Sequence, residues 1–215
     1  MAVDVKICGL KTPAAVNASV EGGARMLGFN FFAKSSRCVT PALAGALGQL
    51  VPATVTKVGL VVDADDATIA AILKESKLDM LQLHGSETPE RTAEIRARFG
   101  LPVMKVISVS SAADIATARD YENVADWLLF DAKPPKAMKD ALPGGNAISF
   151  DWTLLSGQTF GLPWMLAGGL HAGNVAEAVR KTGARMVDLS SGVEDRPGEK
   201  SISKINEFLS LTRSL

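Results

Sequence analysis

Eight short apolar runs alternate with eight helical patterns along 215 residues. Together they predict an α/β fold: a single-domain (βα)8 TIM barrel of eight parallel strands spanning 1–215. Three observations carry this reading. The strand–helix units recur about every 25 residues, which suits a closed barrel. Their strict alternation implies parallel strands, because each helix returns the chain to the start of the next strand. Several runs also end in residues that do chemistry, and strand ends are where parallel α/β folds place their sites. An open doubly wound sheet is the runner-up.

The elements follow in order. Strand 3–8 ends in Cys8-Gly9, and Thr12-Pro13 then supplies an N-cap and a proline at the first helical position for a helix over 12–20. Strand 26–32 leads into the loop Lys34-Ser35-Ser36-Arg37, and Thr40-Pro41 repeats the capping device before 42–50. Strand 55–62 is followed by Asp63, Asp65 and Asp66, a turn and helix cap, then by a helix over 66–75 with Ile69, Ile72 and Leu73 on one face. Strand 79–84 ends in His84-Gly85 and precedes a charged amphipathic helix over 89–99. Strand 103–109 precedes helix 111–119, and strand 126–131 ends in Asp131. The connection 132–149 is long and contains Pro143-Gly144-Gly145, the profile of a functional lid or a disordered segment. A helical segment over 151–155 follows. Strand 163–167 ends in Gly168-Gly169 before helix 174–182, and strand 185–190 ends in Ser190-Ser191-Gly192 before helix 201–211.

Composition narrows the function classes. An apolar fraction of 47% supports a substantial core. Lysine plus arginine equals aspartate plus glutamate at 23 each, so there is no global field for nucleic acid or a membrane surface, and neither is expected as a partner. No apolar stretch is long enough to span a bilayer, and no secretory signal pattern opens the chain. Two cysteines, Cys8 and Cys38, are too few for a disulfide scaffold. The count allows one bridge, and a reducing cytoplasm is the simpler reading. The cysteines, with His84 and His171, have no metal-site spacing, so no metal is expected.

The strand ends suggest roles. Gly168-Gly169 and Ser190-Ser191-Gly192 close the last two strands, where barrels recurrently bind phosphate through backbone N–H groups and a helix N-terminus. Each alone reads as a tight turn. Cys8 could be a small apolar core residue. Alternation instead puts it on one strand face with Lys6, whose ammonium would favour a thiolate and make a usable base. Asp131 ends an apolar strand, where desolvation favours the protonated form that a general acid needs. Its alternatives are an N-cap or an ion pair with Lys133, and Asp188 and Asp63 compete for the acid's role. Arg37 could clamp a carboxylate bidentately or simply be solvated. His84 reads equally as a structural hydrogen-bonding residue or a substrate contact.

At these residues the chain resembles the phosphoribosylanthranilate isomerase family of tryptophan biosynthesis. The resemblance runs through Lys6-Ile7-Cys8-Gly9, Lys34-Ser35-Ser36-Arg37, Gln82-Leu83-His84-Gly85, Asp131, Phe150-Asp151-Trp152, Ala167-Gly168-Gly169-Leu170 and Asp188-Leu189-Ser190-Ser191-Gly192-Val193-Glu194. It implies a barrel and an Amadori rearrangement of a small phosphoribosyl substrate without a cofactor. It also implies that Cys8 is the base, Asp131 the acid, Arg37 the partner of the anthranilate carboxylate, and the two glycine- and serine-rich loops the phosphate site. In one departure, Ala147 stands at a position where the family commonly carries the second glycine of its Gly-Gly-Ser/Thr-Gly stretch. The histidine-pathway isomerase is a rival, or a dual-specific enzyme, but its family places aspartates at the ends of strands one and five. A non-catalytic phosphoribosyl-binding barrel is a rival of another class. A monomer and a homodimer are both compatible with the sequence.

Overall fold

The computed structural model describes residues 2–135, 138 and 142–215; positions 136, 137 and 139–141 of the predicted long connection lie outside the described residues. Strands β1 (Asp4–Cys8), β2 (Met26–Asn30), β3 (Thr56–Val61), β4 (Met80–Leu83), β5 (Val103–Val109), β6 (Trp127–Ala132), β7 (Trp164–Leu166) and β8 (Met186–Leu189) form a closed barrel in sequence order. All eight neighbouring pairs are parallel, and β1 closes on β8 with Val5 opposite Val187 and Lys6 opposite Asp188. The predicted strands each fall on an observed one. The open-sheet alternative fails because an open sheet would leave β1 and β8 as edges.

Helices α1 (Pro13–Glu21), α2 (Pro41–Gly48), α3 (Asp66–Ser76), α4 (Pro89–Phe99), α5 (Ala112–Ala116), α6 (Val175–Thr182) and α7 (Ile202–Thr212) pack outside. The threonine–proline starts work as expected. Thr12 Oγ1 accepts from the Ala15 amide at 3.3 Å and Thr40 Oγ1 from the Leu43 amide at 3.2 Å. Asp65 caps α3 through the Thr68 amide at 2.8 Å. Two units depart from the regular pattern. After β5, helix α5 gives way to a 3₁₀ turn over Thr117–Tyr121, and the helix between β6 and β7 is only a 3₁₀ turn, Trp152–Leu155. Gly157, at φ +70°, stops that turn, and Pro163 stands at the entry to β7. Aromatic rings help cover the sheet there: Phe130 stacks at 4.8 Å on Phe160 and at 5.6 Å edge-on against Trp164.

Alternation sorts every strand into two faces. Val5, Ile7, Leu27, Phe29, Leu128, Phe130, Val187 and Leu189 look outward and bury against the helices. Met26, Val58, Met80, Met104, Val106, Leu129, Met165 and Met186 fill the barrel's interior. Five of the chain's seven methionines are in this inner core, where flexible thioethers fill a tapering space. Nearer the strands' C-terminal ends the interior turns polar, with Lys6, Gln82 and Asp188 buried. The chemistry-bearing strand ends open above this layer.

A buried ion pair steadies the rim from outside. Lys105 Nζ donates to Glu87 Oε2 at 2.7 Å and to the Gly85 carbonyl at 2.8 Å. Glu87 also accepts from the Asp63 amide at 2.8 Å and the Gly85 amide at 3.0 Å. Together these bonds pin the loop that follows His84. Breaking such a pair leaves a buried charge uncompensated. Lys105→Met is therefore expected to destabilise the protein by about 3–5 kcal/mol in urea unfolding. A loss under about 1 kcal/mol would show that the pair does not carry the loop.

Candidate active site

The barrel mouth holds an open cavity with about 740 Å³ of empty space, part of it continuous with solvent. Cys8, Arg37, His84, Asp131, Gly168, Gly169, Ser190 and Ser191 all line it. Gly192 lies just behind, where any side chain would strike the Leu170 carbonyl, so its absence of a Cβ lets the eighth loop pack against the seventh. Eight of the nine site residues predicted from sequence thus share one space, although they come from β1, the β2 loop and β4, β6, β7 and β8.

Cys8 is buried and is a free thiol, as is Cys38, so the bridge that the cysteine count allowed is not formed. The thiol's neighbours pull in opposite directions. Burial pushes the Cys8 thiol up from its ordinary range; the Lys6 and Lys200 ammoniums pull it down, Asp188 pushes it up, and the net direction is up. Lys6 does favour the thiolate, as its place on the same strand face implies, but desolvation outweighs the ammonium. Lys6 is fully buried and donates to Asp188 Oδ1 at 2.8 Å. Burial would lower its pKa, but Asp188 and Cys8 raise it further, so the lysine stays charged. Asp188 therefore serves the barrel interior.

Asp131 sits across the same cavity. Its Oδ1 accepts from the Ala132 amide at 2.8 Å, and Lys133 goes instead to Asp114 at 2.9 Å. The competitor Asp63 is taken up by the Ser86 amide at 2.7 Å. His84 Nδ1 lies 3.2 Å from Gln82 Nε2. Its Nε2 lies 3.3 Å from Asp131 Oδ2 but is not aligned for a hydrogen bond. That nitrogen and Gln82 Oε1 are both buried without a partner in the described structure. Unpartnered polar atoms beside a cavity are ones a ligand can satisfy. Gln82 was missed in the sequence reading, though it shares His84's strand face two residues earlier.

Arg37 is not solvated. Its Nε and Nη2 donate to Glu194 Oε1 and Oε2, each at 2.8 Å, a buried bidentate pair. Nη1 faces Gly145 on the long connection. Glu194 is itself held by Lys200, whose Nζ donates to Oε1 at 2.6 Å. Burial would raise the Glu194 carboxyl, but the Arg37 hydrogen bonds and the Lys200 ammonium hold it below the ordinary range. Lys200, missed in the sequence reading, comes from a short antiparallel hairpin, β9 (Glu194–Arg196) and β10 (Glu199–Lys200).

The described end of the long connection, residues 142–148, covers the mouth. Gly144 lies on the His84–Asp131 pair, so close that a Cβ there would sit 2.6 Å from Asp131 Oδ2 and from His84 Nε2. Gly169, at φ +63°, packs its α-carbon against Ile148 of the same segment. Ala147 takes φ +56°, a left-handed conformation that favours glycine, so the family's glycine preference there has a backbone reason. The N-terminus of α6 is tied to the phosphate-type loop, since Asn174 Nδ2 donates to the Gly169 carbonyl at 3.0 Å. Among the described residues, no group of three or more His, Cys, Asp or Glu side chains is placed to hold a metal.

Known proteins are similar to this chain in sequence and in fold. The family model described as N-(5'-phosphoribosyl)anthranilate (PRA) isomerase matches residues 5–210. A protein of Paramagnetospirillum magneticum named N-(5'-phosphoribosyl)anthranilate isomerase is 57% identical over 99% of this chain and 98% of its own. The crystal structure of phosphoribosyl anthranilate isomerase from Thermotoga maritima superposes with a TM-score of 0.87, at 33% identity, over 99% of this chain and 100% of that one. Another such isomerase, solved in complex with reduced 1-(o-carboxyphenylamino)-1-deoxyribulose 5-phosphate, has a TM-score of 0.82 and 30% identity, over 99% and 100% of the two chains.

The contact of Gly144 with the His84–Asp131 pair can be tested. In Gly144→Ala the added methyl must displace the segment or the pair. A displacement of about 1 Å at a reacting centre costs on the order of 10²-fold. Steady-state kinetics of the reaction for which those relatives are named should show a loss of that order in kcat/KM with the melting temperature nearly unchanged. An unaffected kcat/KM would mean that the segment does not sit on the pair during turnover.

Proposed function

The chain belongs to the N-(5'-phosphoribosyl)anthranilate isomerase family, and on that premise we propose how the residues around its cavity divide the work. The reaction is an Amadori rearrangement in tryptophan biosynthesis. It converts N-(5-phosphoribosyl)anthranilate to its isomer 1-(2-carboxyphenylamino)-1-deoxyribulose 5-phosphate. Asp131 donates a proton to the furanose ring oxygen, the bond from C1 to that oxygen breaks, and an iminium forms between C1 and the anthranilate nitrogen. Cys8, as the thiolate formed once its own thiol proton has passed to solvent, takes the proton from C2. The electron pair of that C–H bond forms the C1–C2 double bond of an enolamine, which tautomerises to the ketone. One proton is gained and one is lost, and no oxidant or reductant takes part.

The electrostatics suggest an order. Burial disfavours the Cys8 thiolate in the free protein. The iminium brings a positive charge beside the sulfur and favours the anion at the step that needs it. Proton donation by Asp131 therefore comes first. Backbone N–H groups of the Gly168-Gly169 and Ser190-Ser191 loops take the phosphate, with Gly192 permitting their close approach. The Nη1 side of Arg37 meets the anthranilate carboxylate, because the other edge is held by Glu194. His84 Nε2, without a hydrogen-bond partner among the described residues, is available to substrate beside the acid.

One observation carries this reading: Cys8 and Asp131, from strands on different sides of the barrel, line the same cavity with both loops. A base thiol has to stay reduced, which favours a reducing cytoplasm, and among the described residues no helix is long and apolar enough to cross a membrane. We take the chain to act as one catalytic domain on a small phosphoribosyl ligand, as a monomer or a homodimer.

Cys8→Ala and Asp131→Asn are each expected to slow turnover about 10²–10⁴-fold. Near-normal turnover in Cys8→Ala would remove the base from this scheme. In a Cys38→Ser background, iodoacetamide alkylation of the free protein should report Cys8 alone. Because burial penalises the thiolate, its rate should rise through a midpoint above the ordinary thiol value of about 8.5. A midpoint below that value would show that the flanking ammoniums outweigh burial.

A further inference from the structure

The β9–β10 hairpin lies outside the eight-unit repeat, and its lysine is sunk into the site. The ammonium of Lys200 has three N–H donors, and the protein uses all three. They go to the Ser190 carbonyl at 2.9 Å, Ser190 Oγ at 3.0 Å and Glu194 Oε1 at 2.6 Å. None remains for a ligand. The Ser190 hydroxyl is committed too, since while accepting from Lys200 it donates its one proton to the Cys8 carbonyl at 2.9 Å. Glu194 in turn grips Arg37 through both oxygens at 2.8 Å. The hairpin's turn presses on the loop that carries Arg37: a Cβ on Gly198 would stand 2.6 Å from the Ser36 carbonyl. A single buried cation thus links the end of β1, the phosphate-type loop after β8 and the arginine after β2.

We propose that Lys200 is a positioning residue for the isomerisation, holding Cys8 through Ser190 and Arg37 through Glu194 at a fixed spacing without touching substrate. This rests on the assignment of Cys8 and Arg37 given above. The spacing matters because the substrate is anionic at both ends and reacts in the middle. Removing one partner of a buried pair is costly when it leaves the other charge alone. Glu194 keeps the Arg37 fork when Lys200 is replaced, so the loss should show in the chemistry more than in the fold.

The test is Lys200→Met, with Lys200→Gln as the second variant should the first not fold. Turnover by kcat/KM should fall on the order of 10²-fold, as for a displacement of about 1 Å. Glu194→Gln should cost a similar factor. The double variant should be no worse than the poorer single one, because both act through one network. A third reading comes from Cys8 alkylation with Cys38 replaced. The charged groups facing that thiol are Lys6 on β1, Asp188 on β8 and Lys200 on the hairpin. Burial lowers the Lys200 ammonium from its ordinary range while Glu194 supports its charge. Losing that cation should move the alkylation midpoint upward with the melting temperature nearly unchanged, a combination that a lysine with a purely structural role would not give. Turnover within twofold of wild type, losses that multiply, or a midpoint that stays or falls would each overturn the proposal. Cys8→Ala keeps the two claims apart: near-normal turnover there removes the base assignment, whereas the outcomes above judge Lys200.

Discussion

Residues 182 positions apart meet where the barrel closes: Lys6 on β1 and Asp188 on β8 sit opposite each other and share a 2.8 Å ion pair. Closure at this seam brings all eight C-terminal strand ends to one rim. Without it Cys8 at the end of the first strand and the serine loop at the end of the last would lie on opposite edges of a sheet. With it, the Ser190 hydroxyl bonds the Cys8 carbonyl. The seam is also where the barrel's inner face changes from methionine and aliphatic packing to charge.

That change in polarity sets the electrostatic problem of the site. A thiol far from water resists ionisation, and the protein surrounds it with buried cations without fully reversing that resistance. Lys6 and Lys200 each carry a carboxylate partner, Asp188 and Glu194, so the interior holds balanced pairs and not isolated charges. On the scheme proposed above, a thiol that is weakly ionised at rest and favoured as the anion by a nearby cation suits a rearrangement through an iminium. The same logic explains why Arg37 is half occupied. Glu194 fixes the guanidinium plane, leaving one side for a ligand.

Much of this was legible in the sequence, for identifiable reasons. Each strand is a buried apolar run, and runs such as 103–109 coincide with the observed strand because both of its faces are covered. Thr12-Pro13 and Thr40-Pro41 announce their helices through local capping geometry, which depends on only a few neighbouring residues. The hairpin over Glu194–Lys200 was not legible. Strands of three and two residues carry no periodicity, and the hairpin's reason for existing is a set of partners far away in the chain. Gln82 was missed because one polar residue in an apolar run has no visible partner until the neighbouring strands are in place. The left-handed backbone at Ala147 gives a physical reason for the family's glycine preference there, which the sequence alone did not supply.

From the sequence by itself came the repeating order of elements, the parallel barrel they imply and the residue types waiting at each strand end, because periodicity, capping and burial are local properties. Tertiary structure alone decided which charge wins at Cys8, what Arg37 holds and how Lys200 enters the site. Those outcomes depend on desolvation and on the distances between groups brought together from remote parts of the chain, and neither quantity exists until the barrel has closed.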